Sequence, residues 1–257
     1  MKKSLVALAV LGAAASAQAA DISLYGVVDT GLAYTYQDNW GIADNTVAHT
    51  TDGESSLEMA SGINASSRFG IVGSEDLGNG MKVAFKLESG INTDDGALNQ
   101  GGRLFGREAH INLRGDFGYL AFGLQPIFGS TLGAHGLFRA IDPLFANYTE
   151  AFGSGHASAS MWTRVDNAVS YVTPTWAGFT FYGMYSFQND STKEYNPGAR
   201  EGSGEVDRYG ALAARYQAGA LESVLVWDMT TYGNERTTNL DFSSPGYSKG
   251  VQSQHGP

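Results

Sequence analysis

Two stretches of this chain carry ionisable side chains at regular two-residue spacings. SSRFGIVGSEDLGNGMKVAFKLESG (66–90) contains Arg68, Lys82, Lys86 and Glu88, and REAHINLRG (107–115) contains Glu108, His110, Asn112 and Arg114. Interleaved with Lys82, Lys86 and Glu88 stand Val83, Phe85 and Leu87. A β-strand sends successive side chains to opposite faces, so this spacing makes one charged face and one apolar face. Opposite charges lining a narrow, low-dielectric passage set up a field that orients dipolar solutes and sorts ions. Bond-breaking chemistry has less to draw on. A hydrolase needs a nucleophile, a base and an orienting group together. His49, His135, His156 and His255 fall in loops or the tail, and only His110 falls on a strand. No H-E-x-x-H occurs, which leaves a hydrolase site assembled from distant strands as the enzymatic alternative. The isolated histidines give no metal-ligand spacing. Asp38, Asp44, Asp52, Glu54 and Glu58 suit a weakly bound Ca²⁺ or, more simply, a solvated loop face. No cofactor is indicated.

The chain around these residues is acidic and without cysteine. Its N-terminus, MKKSLVALAVLGAAASAQA, has two lysines, an apolar run and a small-x-small end at Ala17-Gln18-Ala19. That is the pattern of a cleaved signal peptide over 1–19, with the mature chain starting near Ala20. Removing Lys2 and Lys3 takes the formal charge from −10 to −12. An acidic exported protein with no basic stripe is not built for nucleic acid. After the signal, no run is long and apolar enough for a transmembrane helix. A soluble periplasmic protein and an outer-membrane barrel both survive these tests. The 34 glycines and 12% aromatic residues favour many strands and turns.

Alternation recurs along the chain at 21–36, 66–76, 81–91, 107–115, 119–125, 164–174, 178–187, 207–217 and 220–232. Short turns and long polar loops take turns between them, the long ones falling at 37–65, 92–106, 126–163 and 188–206. Segments of about ten residues with one plain and one elaborated rim predict an all-β, antiparallel up-and-down transmembrane β-barrel. The polar parity then lines the lumen: Asp29, Arg68, Lys82, Lys86, Glu88, Glu108, His110, Asn112, Arg114, Asp166, Arg215 and Glu222. Outer-membrane lipid is the partner of the other face. Phe117, Tyr119, Trp176 and Phe179 at the short-turn ends, with Tyr34, Tyr36 and Trp40 near a long loop, suit the two membrane interfaces.

LYGVVDTG, SRFG followed by GSEDLGNG, and the FG-containing fifth strand resemble the general porins of Gram-negative outer membranes, those of β-proteobacteria in particular. The resemblance covers nearly all of 20–232. It implies a roughly sixteen-stranded, usually trimeric barrel in the outer membrane. Such a barrel passes small hydrophilic solutes and ions by diffusion. It also implies that the third long loop, here Pro126–Thr163, folds inward and narrows the channel. Arg68, Lys82, Lys86 and Arg114 would then form one side of the constriction and Asp142 and Glu150 the other. Arg139 blurs the acidic character of that loop, and Ile127 stands where many relatives carry an acidic residue after the loop-opening proline. About nine strands are readable, and the last residues show no alternation, so the domain 20–257 is expected to be an incomplete barrel. A soluble carbohydrate-binding or adhesive β-protein is the non-channel alternative.

Overall fold

The computed structural model describes residues 21–37, 42–43, 46–47, 54–63, 65–141, 163–193 and 198–233. The expected signal peptide, Trp40 and the loop residues Asp142 and Glu150 lie outside them. Thirteen strands are formed among the described residues: β1 (Asp21–Val27), β2 (Thr30–Gln37), β3 (Ile42–Ala43), β4 (Thr46–Val47), β5 (Glu54–Ser61), β6 (Arg68–Gly78), β7 (Met81–Gly90), β8 (Glu108–Gly115), β9 (Gly118–Pro126), β10 (Arg164–Val172), β11 (Phe179–Ser186), β12 (Arg208–Ala218) and β13 (Leu221–Thr231). Nine of them make one antiparallel sheet in the order β1-β6-β7-β8-β9-β10-β11-β12-β13. From β6 onward each strand pairs with its neighbour in sequence, the up-and-down order that alternating loop lengths predict. Among the described residues, no helix is long and apolar enough to cross a membrane.

The tight turns follow from local chemistry. Between β6 and β7 the chain reverses over Gly78, Asn79 and Gly80, all with positive φ (80°, 52° and 76°). Glycine and asparagine tolerate this left-handed region best. The Asp76 carboxylate fastens the turn by accepting the Gly78 N–H at 2.8 Å.

One expected strand is two. The alternating segment 21–36 breaks after Val27, and β2 leaves the main sheet to pair with β5, inside a stretch expected to be a long polar loop. Asp29 sits at the break. Its backbone N–H donates to Ser67 Oγ, and its carboxylate accepts the Ala65 N–H at 2.7 Å. Its carbonyl accepts Ser67 Oγ–H at 2.8 Å and the Gly62 N–H at 2.8 Å. Asp29 therefore ties a polar knot between β1, β5 and β6, where the alternation had assigned it to the lumen wall. Satisfying these backbone groups outweighs continued alternation.

The two faces of the main sheet differ as expected. Leu24, Ile111, Phe122, Phe181, Leu212, Leu225, Trp227 and Met229 are exposed on one face. The other face buries Ala121, Ser170, Met184 and Tyr209. A contiguous exposed apolar face of this breadth is foreign to a soluble monomer and fits lipid. The inner face is itself divided. Over β6–β8 it is charged, but over β10–β13 it presents Val172, Tyr182, Met184, Ala211 and Ala213, with Val224 and Val226 beside them. Ile127, Phe128 and Leu137, from the start of the long loop, cover that apolar patch. Phe128 meets Tyr182 edge-on at 5.4 Å between centroids. Ile127 is fully buried, which explains why an acidic side chain would not suit that position.

Close strand approach makes one glycine critical. Gly123 in β9 has φ 128°, and a Cβ there would lie 2.2 Å from the Ala109 carbonyl oxygen. At Gly183 the nearest atom to a Cβ is Leu212 Cδ2 at 3.8 Å. Gly123→Ala is expected to destabilise the sheet by about 2 kcal/mol or more, and Gly183→Ala by less than about 1 kcal/mol. Denaturant midpoints of the detergent-folded variants check the difference.

Candidate functional site

Glu88, near the end of β7, organises the charged wall. Its carboxylate accepts hydrogen bonds from Arg107 Nε at 2.6 Å and from the Tyr25 hydroxyl at 2.6 Å. Lys86 Nζ lies 3.2 Å away and Arg68 Nε 3.8 Å. Glu108 stands directly opposite Glu88 on β8. Two carboxylates face to face would repel, but Lys86 bridges them, 2.5 Å from Glu108, and Arg107 holds the far side of Glu88. His110 Nε2 is 3.2 Å from the other Glu108 oxygen. Arg164, opening β10, donates from Nε to the Arg107 carbonyl at 2.9 Å. A row of cations and acids thus runs across β6, β7, β8 and the chain just before β8.

From Lys86 and Glu108 along β7 and β8 to Lys82 and Arg114 extends a cavity of about 630 Å³. Lys82, Lys86, Glu108, His110, Asn112, Arg114, Tyr119 and His135 are among the residues that line it. Lys82 and Arg114 face each other directly across β7 and β8. Arg114 is held by the Asn112 side-chain oxygen at 2.9 Å and lies 5.2 Å from the Tyr119 ring centroid. His135 reaches the cavity from the long loop and packs on Tyr119 with ring centroids 4.5 Å apart.

Four of the six residues expected at the constriction, Arg68, Lys82, Lys86 and Arg114, share this face; Asp142 and Glu150 lie outside the described residues. Arg68 belongs to the Glu88 cluster, while Lys82 and Arg114 belong to the cavity, so the four divide between two neighbouring sites. Tyr119, grouped by sequence with the interfacial aromatics, turns inward, because it shares the parity of buried Ala121. Trp176, at 76% exposure, and Phe179 do stand outward. Arg107 escaped the sequence reading. Strict alternation from Glu108 sends it to the lipid side, but it precedes β8, and its N–H bonds the Glu88 carbonyl at 3.1 Å. Asp166 is buried, with Arg103 at 2.9 Å and the Ser191 hydroxyl as partners. Arg103 comes from the loop between β7 and β8, which alternation cannot place. Among the described residues, neither His110 nor His135 is hydrogen-bonded to a hydroxyl, and no group of three or more His, Cys, Asp or Glu could hold a metal ion. A G-x-S-x-G match at Gly246–Gly250 lies outside them.

Burial accounts for unequal energetics. Removing one partner of a buried pair leaves an uncompensated charge and costs about 3–5 kcal/mol. Glu88→Ala is therefore expected to destabilise the protein by about 3 kcal/mol. Glu222→Ala, which breaks a more exposed 2.6 Å pair with Arg215, is expected to cost less than about 1 kcal/mol. Denaturation curves of the two variants test this order. The loop contact is pH-sensitive. Burial, and then the charges of Arg114 and His110, push the His135 pKa down from 6.5 to about 4, against an opposing pull from Glu108. Above about pH 6.5 His135 is neutral whether docked or released, and docking is unaffected. As the pH falls from 6.5 toward about 4, the released loop takes up a proton that the docked loop resists, so docking weakens. NMR titration of the His135 ring should give a midpoint near 4, and His135→Phe should abolish the pH dependence of docking.

With this geometry in place, comparison with known proteins is informative. A family model described as Gram-negative porin matches residues 7–250. An outer membrane porin protein of Bordetella pertussis is 37% identical over 92% of this chain and 61% of its own length. Outer membrane porin protein 32 of Delftia acidovorans is 37% identical over 75% of this chain and 51% of its own. Among solved structures, an anion-selective porin from Comamonas acidovorans superposes with a TM-score of 0.59 at 28% identity, over 84% of this chain and 59% of the other. The chain thus spans between about half and three-fifths of the length of these relatives. A family model covering most of the sequence and the 37% identity to the Bordetella porin over most of this chain agree: the chain belongs to the Gram-negative porin family.

Proposed function

We propose that this protein forms part of the wall of a water-filled channel in the outer membrane that passes small hydrophilic solutes and ions by diffusion, and that it is not an enzyme. One observation carries the reading: a single sheet has charged residues from Arg68 to Arg114 on one face and exposed Leu24, Phe122, Leu225 and Trp227 on the other. Only a wall between water and lipid makes both faces favourable. In this reading residues 1–19 are a cleaved export signal and the main sheet is part of a closed barrel. The long loop 126–163 narrows the lumen, with Asp142 and Glu150 opposite Arg68, Lys82, Lys86 and Arg114. Support comes from Ile127, Phe128 and Leu137, which pack the loop's first residues onto the inner face. A homotrimer follows from the family resemblance. Around Glu88 and the cavity, Arg68, Lys82, Lys86, Arg107, Arg114 and Arg164 outnumber Asp21, Glu88 and Glu108. The channel therefore favours anions, as the anion-selective Comamonas porin does.

Planar bilayers test this reading. The full chain, folded in detergent and inserted, is expected to give stepwise conductance, with a reversal potential in a KCl gradient of anion-selective sign. Arg164→Gln should move that potential toward zero. Inserted, folded protein that does not conduct would overturn the channel assignment.

A further inference from the structure

The wall contains two like-charge pairs directly across β7 and β8, and the structure treats them differently. Glu88 faces Glu108, and that pair is fully compensated by Lys86 and Arg107. Lys82 faces Arg114 six residues along the same two strands, and neither has a carboxylate within ion-pair distance among the described residues. Like charges directly opposite on one sheet face are unfavourable. The acids nearest by register do not resolve this. Asp76 stands opposite Lys82 on β6, but its carboxylate is held by the Gly78 N–H in the turn. Asp21 lines the cavity from β1, two strands away and roughly 12 Å from Lys82 by strand spacing and rise. Glu108 is occupied by Lys86.

The rest of the cavity adds hydrogen-bonding and stacking groups. Arg114 is oriented by Asn112 and Tyr119 rather than left mobile. His110, whose side chain is 7% exposed, has Nδ1 buried without a hydrogen-bond partner. Gln125 lines the cavity too, and the Tyr119 and His135 rings form an aromatic wall. A volume of about 630 Å³ exceeds the need of a bare oxyanion and suits one attached to a sugar-sized body.

We propose that Lys82 and Arg114 form a binding site for a phosphate monoester, separate from the Arg68–Glu88–Arg107 cluster, with the phosphoryl group between the two cations and the ester's body against Tyr119 and His135. The phosphoryl group supplies to this basic pair the charge that Lys86 supplies, with opposite sign, to Glu88 and Glu108. Arg114 presents a planar fork suited to two phosphoryl oxygens, and Lys82 a point charge. The site uses the open inner face assigned under the channel reading, but binding needs no conduction and is measured without it.

The test is a titration of the full chain, folded in detergent at neutral pH and low salt, with inorganic phosphate, glucose 6-phosphate and glucose, followed by calorimetry. Saturable binding of both phosphates is expected, tighter for the ester, with none for glucose. Lys82→Gln and Arg114→Gln should each weaken glucose 6-phosphate binding at least tenfold, while Arg200→Gln, which removes a cation from the loop between β11 and β12, should leave it unchanged. Retained heat-modifiable migration identifies folded variants. No saturable phosphate binding by folded protein, or equal loss from Arg200→Gln and Lys82→Gln, would overturn the proposal. Either result would leave the conductance test of the channel standing by itself.

Discussion

Everything else in the structure depends on the two-residue period of the strand meeting two different solvents. Phe122, Leu212, Leu225 and Trp227 stand exposed on one side of the sheet, and the residues beside them in sequence turn to the other. Slipping any strand by a single residue would exchange the two sets. A cation moved to the lipid midplane costs about 2–4 kcal/mol, so register is held from outside by the membrane as well as from inside by hydrogen bonds.

Given that register, the inner face can concentrate charge at little cost to stability. Three cations, Arg68, Lys86 and Arg107, and the His110 ring converge on Glu88 and Glu108, and each acid has at least two partners. Such a network is favourable only when nearly every member is satisfied. The aromatic side chains contribute to it: Tyr25 donates to Glu88, and Tyr119 lies beneath Arg114. The basic pair at Lys82 and Arg114 is the contrasting case, with no carboxylate at ion-pair distance among the described residues.

The inner face is also the floor on which the long loop rests. Val172, Tyr182, Met184 and Ala213 would be misplaced in a wholly aqueous lumen, and Ile127, Phe128 and Leu137 cover them. The first residues of the loop are anchored by hydrophobic burial against β10–β13. Its docking and the wall's charge are linked through His135, which touches Tyr119 beneath Arg114.

Much of this was legible in the residues themselves. The alternation of Lys82, Lys86 and Glu88 with Val83, Phe85 and Leu87 determined which face is charged, because side-chain direction in a strand depends only on the backbone period, and the alternating loop lengths foretold the strand order from β6 onward. Tertiary structure alone decided the rest. Asp29 breaks the first strand because Ser67 and Ala65, far along the chain, offer better partners than continued pairing. Arg107 and Arg103 reach buried carboxylates from outside the strands, where alternation has no authority. Which charges are cancelled and which are left facing each other depends on the register between β7 and β8. Register is a property of two strands together, and neither strand's sequence contains it alone.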